Sequence, residues 1–233
     1  HTNKLKMKKC ISNILSLLLV SSLVAFSQSF TSDNNGNVVP PPVLDMDGEP
    51  LKINEEYSIL SVFPGGGSTY LADLGNTKCP NGVVQDSSGE FDHSTPVMFF
   101  TMQVGSRYVF ENQDVSIMFS TTTSNLCVNE TVWKAGDYTL GPVHPPPRFV
   151  ITVGTLGIPG PNTLKNWFKI EKYETGRPHS YKLRYCPSQF MCPTCHFDCA
   201  DVGFYQNKGY ARLALNNKPY PFRFTKVNNN IDA

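Results

Sequence analysis

Tyr185–Phe204 reads YCPSQFMCPTCHFDCADVGF and places Cys186, Cys192, Cys195 and Cys199 within fourteen residues. Tyr181–Tyr185 before the cluster and Ala211–Leu215 after it alternate apolar and polar residues, so the cluster reads as a loop stapled between two strands. Three chemistries compete for four neighbouring thiols. A structural zinc normally draws its ligands from two Cys-x-x-Cys units set apart, and Cys192-Pro193-Thr194-Cys195 is the one such unit here. A redox dithiol wants a reducing compartment and a following helix, and no helical period follows Cys195. Structural disulfides want an oxidising route, so the compartment decides between them.

The N-terminus points to that route. Lys4–Lys9 is basic, Ile11–Phe26 is an apolar run, and Ala25-Phe26-Ser27 offers the small residues that a signal peptidase accepts. Residues 1–27 are therefore expected to be a signal peptide, with Met7 a plausible start and residues 1–6 a leader. A membrane anchor is the competing reading, but the run is short for a span and a polar, Pro-rich stretch follows it. The expected destination is extracellular or vacuolar, with no membrane contact after cleavage. Cleavage removes one of the seven cysteines, Cys10, and leaves an even six. It also removes Lys4, Lys6, Lys8 and Lys9, which takes the formal charge from +1 to −3. A mildly acidic mature chain does not suit nucleic acid or an anionic membrane. Six cysteines in an oxidising route suit three disulfides, although spacing alone leaves fifteen pairings open.

Residues 28–42 are rich in Asn, Ser and Pro and lack periodicity, so a flexible segment is expected there, with a second at 228–233. The body between them, residues 43–227, reads as one domain. In Val43–Ile59 the apolar residues Leu51, Ile53, Tyr57 and Ile59 flank turn signals at Asp47-Gly48 and Asn54, which predicts a hairpin. Gly65-Gly66-Gly67 lacks the Lys-Ser/Thr pair and helix of a phosphate loop and reads as a flexible turn. Short β-rich runs follow at Val83–Gln85, Val97–Thr101, Val115–Ser120, Thr131–Lys134, Arg148–Thr152, Trp167–Glu171, Tyr181–Tyr185, Ala211–Leu215 and Phe222–Lys226. Each is bounded by Gly, Pro, Asn or Asp, the pattern of an all-β sandwich or barrel. An internal echo narrows the choice. Pro96–Phe99, Asn166–Ile170 and Pro221–Phe224 look alike, as do Tyr57–Leu60 and Tyr181–Arg184. Three pseudo-repeats of about four strands each describe a β-trefoil.

With these motifs in order, the chain resembles the plant Kunitz-type (soybean trypsin inhibitor-like) inhibitors, and within them the miraculin-like branch. The resemblance is carried by Val43-Leu44-Asp45-Met46-Asp47-Gly48-Glu49-Pro50-Leu51, by Cys79-Pro80-Asn81-Gly82-Val83-Val84-Gln85, and by Leu126-Cys127 with Val132-Trp133. It continues through Gly160–Leu164 with Trp167–Ile170, then Cys199–Gly203 and Arg212–Leu215. It implies a disulfide-stapled β-trefoil with Cys79 bonded to Cys127, Cys186 to Cys199, and Cys192 to Cys195. The long Cys79–Cys127 loop would gain most from its bond, about 4 kcal/mol in the chain-entropy model. The small Cys192–Cys195 ring is expected to be the most reducible.

No catalytic constellation is present, so no enzyme activity, cofactor or resident metal is expected. His93, His144, His179 and His196 are scattered, and Glu55-Glu56 reads as surface charge. His196, inside the cysteine cluster, is the one histidine whose neighbours make a metal role conceivable. What the resemblance implies instead is inhibition of an endopeptidase, serine-type first, by substrate-like insertion of an exposed loop held rigid by the scaffold. That loop follows Thr95-Pro96 and comprises Thr101, Met102, Gln103 and Val104; counting forward from Pro96 makes Met102 the specificity residue, counting back from Val115–Phe119 gives Gln103 to Gly105, and Arg107 is a competitor. Met102 suits an apolar pocket rather than trypsin's buried carboxylate. The alternatives are a miraculin-like binding or storage protein without inhibitory activity, or an inhibitor of cysteine or aspartic proteases through another loop. A monomer is expected. Asn129-Glu130-Thr131 is a glycosylation sequon, and Pro145-Pro146-Pro147 reads as a stiff connector.

Overall fold

The computed structural model describes residues 39–75, 79–86, 94–121, 131–139 and 146–227. The expected signal peptide, the tail from 228, His93, Cys127, Asn129 and His144 lie outside them.

Twelve strands run β1 Tyr57–Ser61, β2 Thr69–Ala72, β3 Gly82–Gln85, β4 Val97–Thr101, β5 Asp114–Phe119, β6 Val132–Tyr138, β7 Arg148–Gly154, β8 Phe168–Lys172, β9 Tyr181–Tyr185, β10 Ala200–Asn207, β11 Tyr210–Asn216 and β12 Pro221–Lys226. Six of them close a barrel. β1 pairs β4, β4 pairs β5, β5 pairs β8, β8 pairs β9, β9 pairs β12, and β12 returns to β1, all antiparallel. The other six form the hairpins β2–β3, β6–β7 and β10–β11. These meet through β3–β7, β7–β11 and β11–β3 contacts and cap one end. Each repeat is thus a barrel strand, a cap hairpin and a second barrel strand, the β-trefoil expected from the echo. The echoing runs fall on β4, β8 and β12, and Tyr57–Leu60 and Tyr181–Arg184 fall on β1 and β9.

Period-two patterning explains the barrel. Tyr57 and Ile59, Val97 and Phe99, Val115, Ile117 and Phe119, Phe168 and Ile170, Tyr181 and Leu183, and Phe222 and Phe224 all enter one buried cluster. Alternate side chains along a strand point to opposite faces, so each strand sends every second residue inward. The rings of Tyr57, Phe99, Phe224 and Tyr181 form a chain across the repeats, with centroids 6.1, 5.5 and 5.9 Å apart. Burial raises the tyrosine pKa values above the ordinary phenol value, and the hydroxyls are still satisfied. Tyr57 accepts from the Lys52 amide and Tyr181 from the Leu44 amide, both at 2.9 Å.

That last contact corrects the N-terminal expectation. Asp47-Gly48 does turn, with Leu44 bridged to Pro50, but Leu51–Ile53 does not pair with Tyr57. Lys52 bridges Tyr108 instead, and β1 is taken up by β12 and β4. The segment closes the open barrel end, because two buried hydroxyls offer its amides partners that a local hairpin would not. Pairing also reaches back before Val43, since Pro42 bridges Phe110 and the Pro41 carbonyl accepts from Glu111. Likewise Gly65-Gly66-Gly67 is a packed turn. A Cβ on Gly66 would lie 2.1 Å from Ser61 Oγ, so only glycine fits beneath that hydroxyl.

Candidate functional site

The sequence-selected loop occupies the β4–β5 connection. Thr101 ends β4 opposite Val115, and the chain then leaves the sheet. Met102 is 38 % exposed, and Val104 is 100 % exposed at the apex. Gln103, Gly105 and Arg107 are exposed too, so nothing from Met102 to Arg107 lies in the barrel. The tip is a tight turn: Ser106 N donates to Gln103 O at 3.1 Å, and Gly105 takes φ +83°, with nothing near where a Cβ would stand.

Below the tip the returning leg is fixed. The Arg107 carbonyl accepts from Ile53 N at 3.0 Å, Val109 N donates to Leu51 O at 2.9 Å, and Val109 O accepts from Val43 N at 2.9 Å. Val109 itself is fully buried. Gln113 Nε2 reaches Gln103 Oε1 at 3.3 Å and ties the tip to the loop's far end. A free apex on a fixed base keeps its bound shape before any partner arrives, which lowers the entropy lost on binding.

The cysteine cluster sits beside this loop. Cys186 bonds Cys199 and Cys192 bonds Cys195, the pairing the resemblance implies. Cys79 is disulfide-bonded as well, and Cys127, the mate expected for it, lies outside the described residues. The strand after the cluster is β10, not Ala211–Leu215, and Ala200 pairs directly with Tyr185. Lys169 of β8 joins the two loops: its Nζ donates to Asn112 O at 3.0 Å and Ser188 Oγ at 2.9 Å, and lies 3.5 Å from the buried Asp114 carboxylate. Asp114 Oδ1 in turn accepts from Ser188 N at 3.0 Å. Between the loops lies a cleft of about 410 Å³ lined by Met102, Gln103, Gln113, Ser188 and Phe190. Sequence reasoning missed Phe190, which is 66 % exposed, because nothing in the residues around it marks it as surface.

The remaining candidates are not brought together. His196 borders a separate hollow with Cys195 and Asp198, and no metal-ligating cluster occurs among the described residues. His179 lies in the β8–β9 connection, and Glu55 pairs with Lys52 and Lys226. Pro147 accepts from both Thr139 N and Thr139 Oγ1 at the β6–β7 turn.

The family model described as "Trypsin and protease inhibitor", of the legume Kunitz family, matches residues 43–226, the whole of this trefoil. The chain belongs to the Kunitz family. It stands among proteins that inhibit proteases, not among enzymes. It is similar to a solved Kunitz-type cysteine protease inhibitor from potato, with 73 % identity and a TM-score of 0.75 over 82 % of this chain and 100 % of that one. Soybean trypsin inhibitor in complex with porcine pancreatic trypsin is 28 % identical, with a TM-score of 0.61 over 80 % and 99 % of the two chains. Miraculin from Synsepalum dulcificum is 36 % identical over 95 % of this chain and 99 % of its own length.

Proposed function

We propose that the chain blocks a papain-type cysteine endopeptidase, with the β4–β5 tip from Met102 to Gly105 plugging the substrate cleft. The identity of 73 % with a potato inhibitor of cysteine proteases, across that inhibitor's whole length, carries the reading. The tip geometry supports it. Gln103–Ser106 closes on itself by a hydrogen bond, so it offers a blunt apolar wedge headed by Val104 rather than a long extended segment. A plug of this kind needs shape and rigidity, and the fixed leg below it supplies both. The disulfides support passage along the secretory route, where such bonds persist.

Titrating papain with the oxidised protein tests the proposal. Loss of activity at submicromolar inhibitor is expected, with Val104→Asp at least tenfold weaker, because the substitution places a charge at the most deeply inserted point. Full papain activity at micromolar inhibitor would refute it. A second reading, inhibition of a serine endopeptidase with an apolar primary pocket, is favoured by the exposure of Met102 beside Val104. Chymotrypsin and subtilisin titrations separate the two. Trypsin should be spared in either case, since Arg107 stands on the fixed leg with its carbonyl already bonded to Ile53.

A further inference from the structure

We infer that Phe190 is a second specificity-determining contact to the endopeptidase, and that the cleft between Phe190 and Met102 receives an apolar side chain from the rim of the enzyme's substrate channel. The inference rests on the inhibitory reading above and names the surface that works beside the tip.

Phe190 is not exposed because its loop is loose. It sits in a 3-10 turn, Gln189–Met191, whose next residues Met191 and Cys192 are 3 % exposed and packed with Leu164 and Trp167. Gln189 Nε2 closes the turn by donating to the carbonyls of Cys192, Pro193 and Cys195 at 3.1, 2.9 and 3.3 Å. A phenyl ring held in water on so fixed a support is unfavourable for the free protein, and a large rigid aromatic is what interface hot spots are made of.

Position and charge then select the occupant. Met102 and Phe190 line the same cleft, so a partner seated on the tip lies over Phe190 as well. Among the described residues lining the cleft, the one carboxylate, Asp114, is matched by Lys169 at 3.5 Å. A cationic guest would find no unpaired carboxylate, and a volume of about 410 Å³ accommodates one aromatic or branched side chain. The cleft continues the surface of the proposed inhibitory loop, so the enzyme that binds the tip supplies that side chain. A second copy of this chain is the rival occupant.

The full oxidised protein is compared with Phe190→Ala, Phe190→Leu, Met102→Ala and the Phe190→Ala/Met102→Ala pair by inhibition constant, melting temperature and sedimentation. Phe190→Ala is expected to weaken papain inhibition about tenfold, mainly through faster dissociation, with the melting temperature unchanged. Phe190→Leu should recover part of the loss, and the pair should lose less than the product of the single effects. Wild-type inhibition with Phe190→Ala equally potent would overturn this inference alone. So would a Phe190→Ala effect confined to self-association in sedimentation. Wild-type protein inert toward papain, chymotrypsin and subtilisin would overturn the inhibitory reading and this inference with it.

Discussion

Glu111 illustrates how one side chain at the barrel's open end is tuned. Burial raises its pKa above the usual 4.5, Lys172 opposes the shift, and Glu174 adds to it. A carboxyl whose pKa is raised by folding contributes stability below its unfolded value and loses it as pH climbs through the folded one. Glu111→Gln keeps the neutral form at every pH. The variant should therefore melt higher than wild type at pH 7 and indistinguishably from it at pH 3, a pair of thermal scans that any pH-independent gain would contradict. The neighbouring Tyr181 would register the change, since the Glu111 charge helps hold its phenol neutral. Such couplings are invisible in sequence, because residues 111, 172, 174 and 181 meet only once β8 and β9 are in place beside the β4–β5 connection. Phe190 is hidden for the same reason. Nothing in the local pattern of Pro187–Met191 says that it faces Met102, 88 positions earlier in the chain. The β5–β8 register, with Asp114 opposite Lys169, creates that neighbourhood.

At the scale of elements, legibility follows side-chain size and alternation. β4, β5, β8, β9 and β12 carry large apolar residues at every second position, and these strands were read from the sequence within a residue or so. β2, Thr69–Ala72, was missed because Thr and Ala hold two of its four positions and a glycine turn ends one residue before it. β10 was missed because it starts Ala-Asp and carries Gly203, yet Gly203 is needed there: a Cβ would lie 2.3 Å from the Lys218 carbonyl. The strand holds its place by long pairing with β11 and through Asp201, which takes Lys182 at 3.0 Å. The disulfide loop between β9 and β10 sets ring size against burial in a testable way. Ring size points to Cys192–Cys195 as the first bond to be reduced, but exchange also needs access to sulfur. Cys192 is buried with Leu164, Trp167 and Met191, whereas Cys199 is exposed. Brief native treatment with dithiothreitol followed by alkylation and mass spectrometry should label Cys186 and Cys199 before Cys192 and Cys195. Equal or reversed labelling would show that local ring chemistry outweighs burial.

At the scale of the whole molecule, the trefoil determines what happens if a protease cuts the tip. A break at Met102–Gln103 falls between β4 and β5, which is the boundary between the first repeat and the second. The first repeat stays attached on both sides. β4 keeps its ladder to β5 from Val97↔Phe119 to Thr101↔Val115, and β1 keeps its ladder to β12 from Tyr57↔Lys226 to Ser61↔Phe222. The buried contact of Phe99 with Phe224 crosses the same seam inside the barrel, and the N-terminal segment still holds the returning leg at Arg107 and Val109. Cutting therefore releases little more than the tip itself, and the new ends remain close enough to occupy the enzyme. Protein nicked at this bond should elute with intact protein on a sizing column, melt within about 5 °C of it, and separate into two fragments only after denaturation with a reductant. Aromatic signals in near-ultraviolet circular dichroism should survive the cut, because Tyr57, Phe99, Phe224 and Tyr181 span both fragments. Loss of those aromatic signals, or a fall in melting temperature well beyond about 5 °C, would mean that the two ladders are too weak to hold the first repeat, and that the scaffold cannot keep a cleaved loop in place.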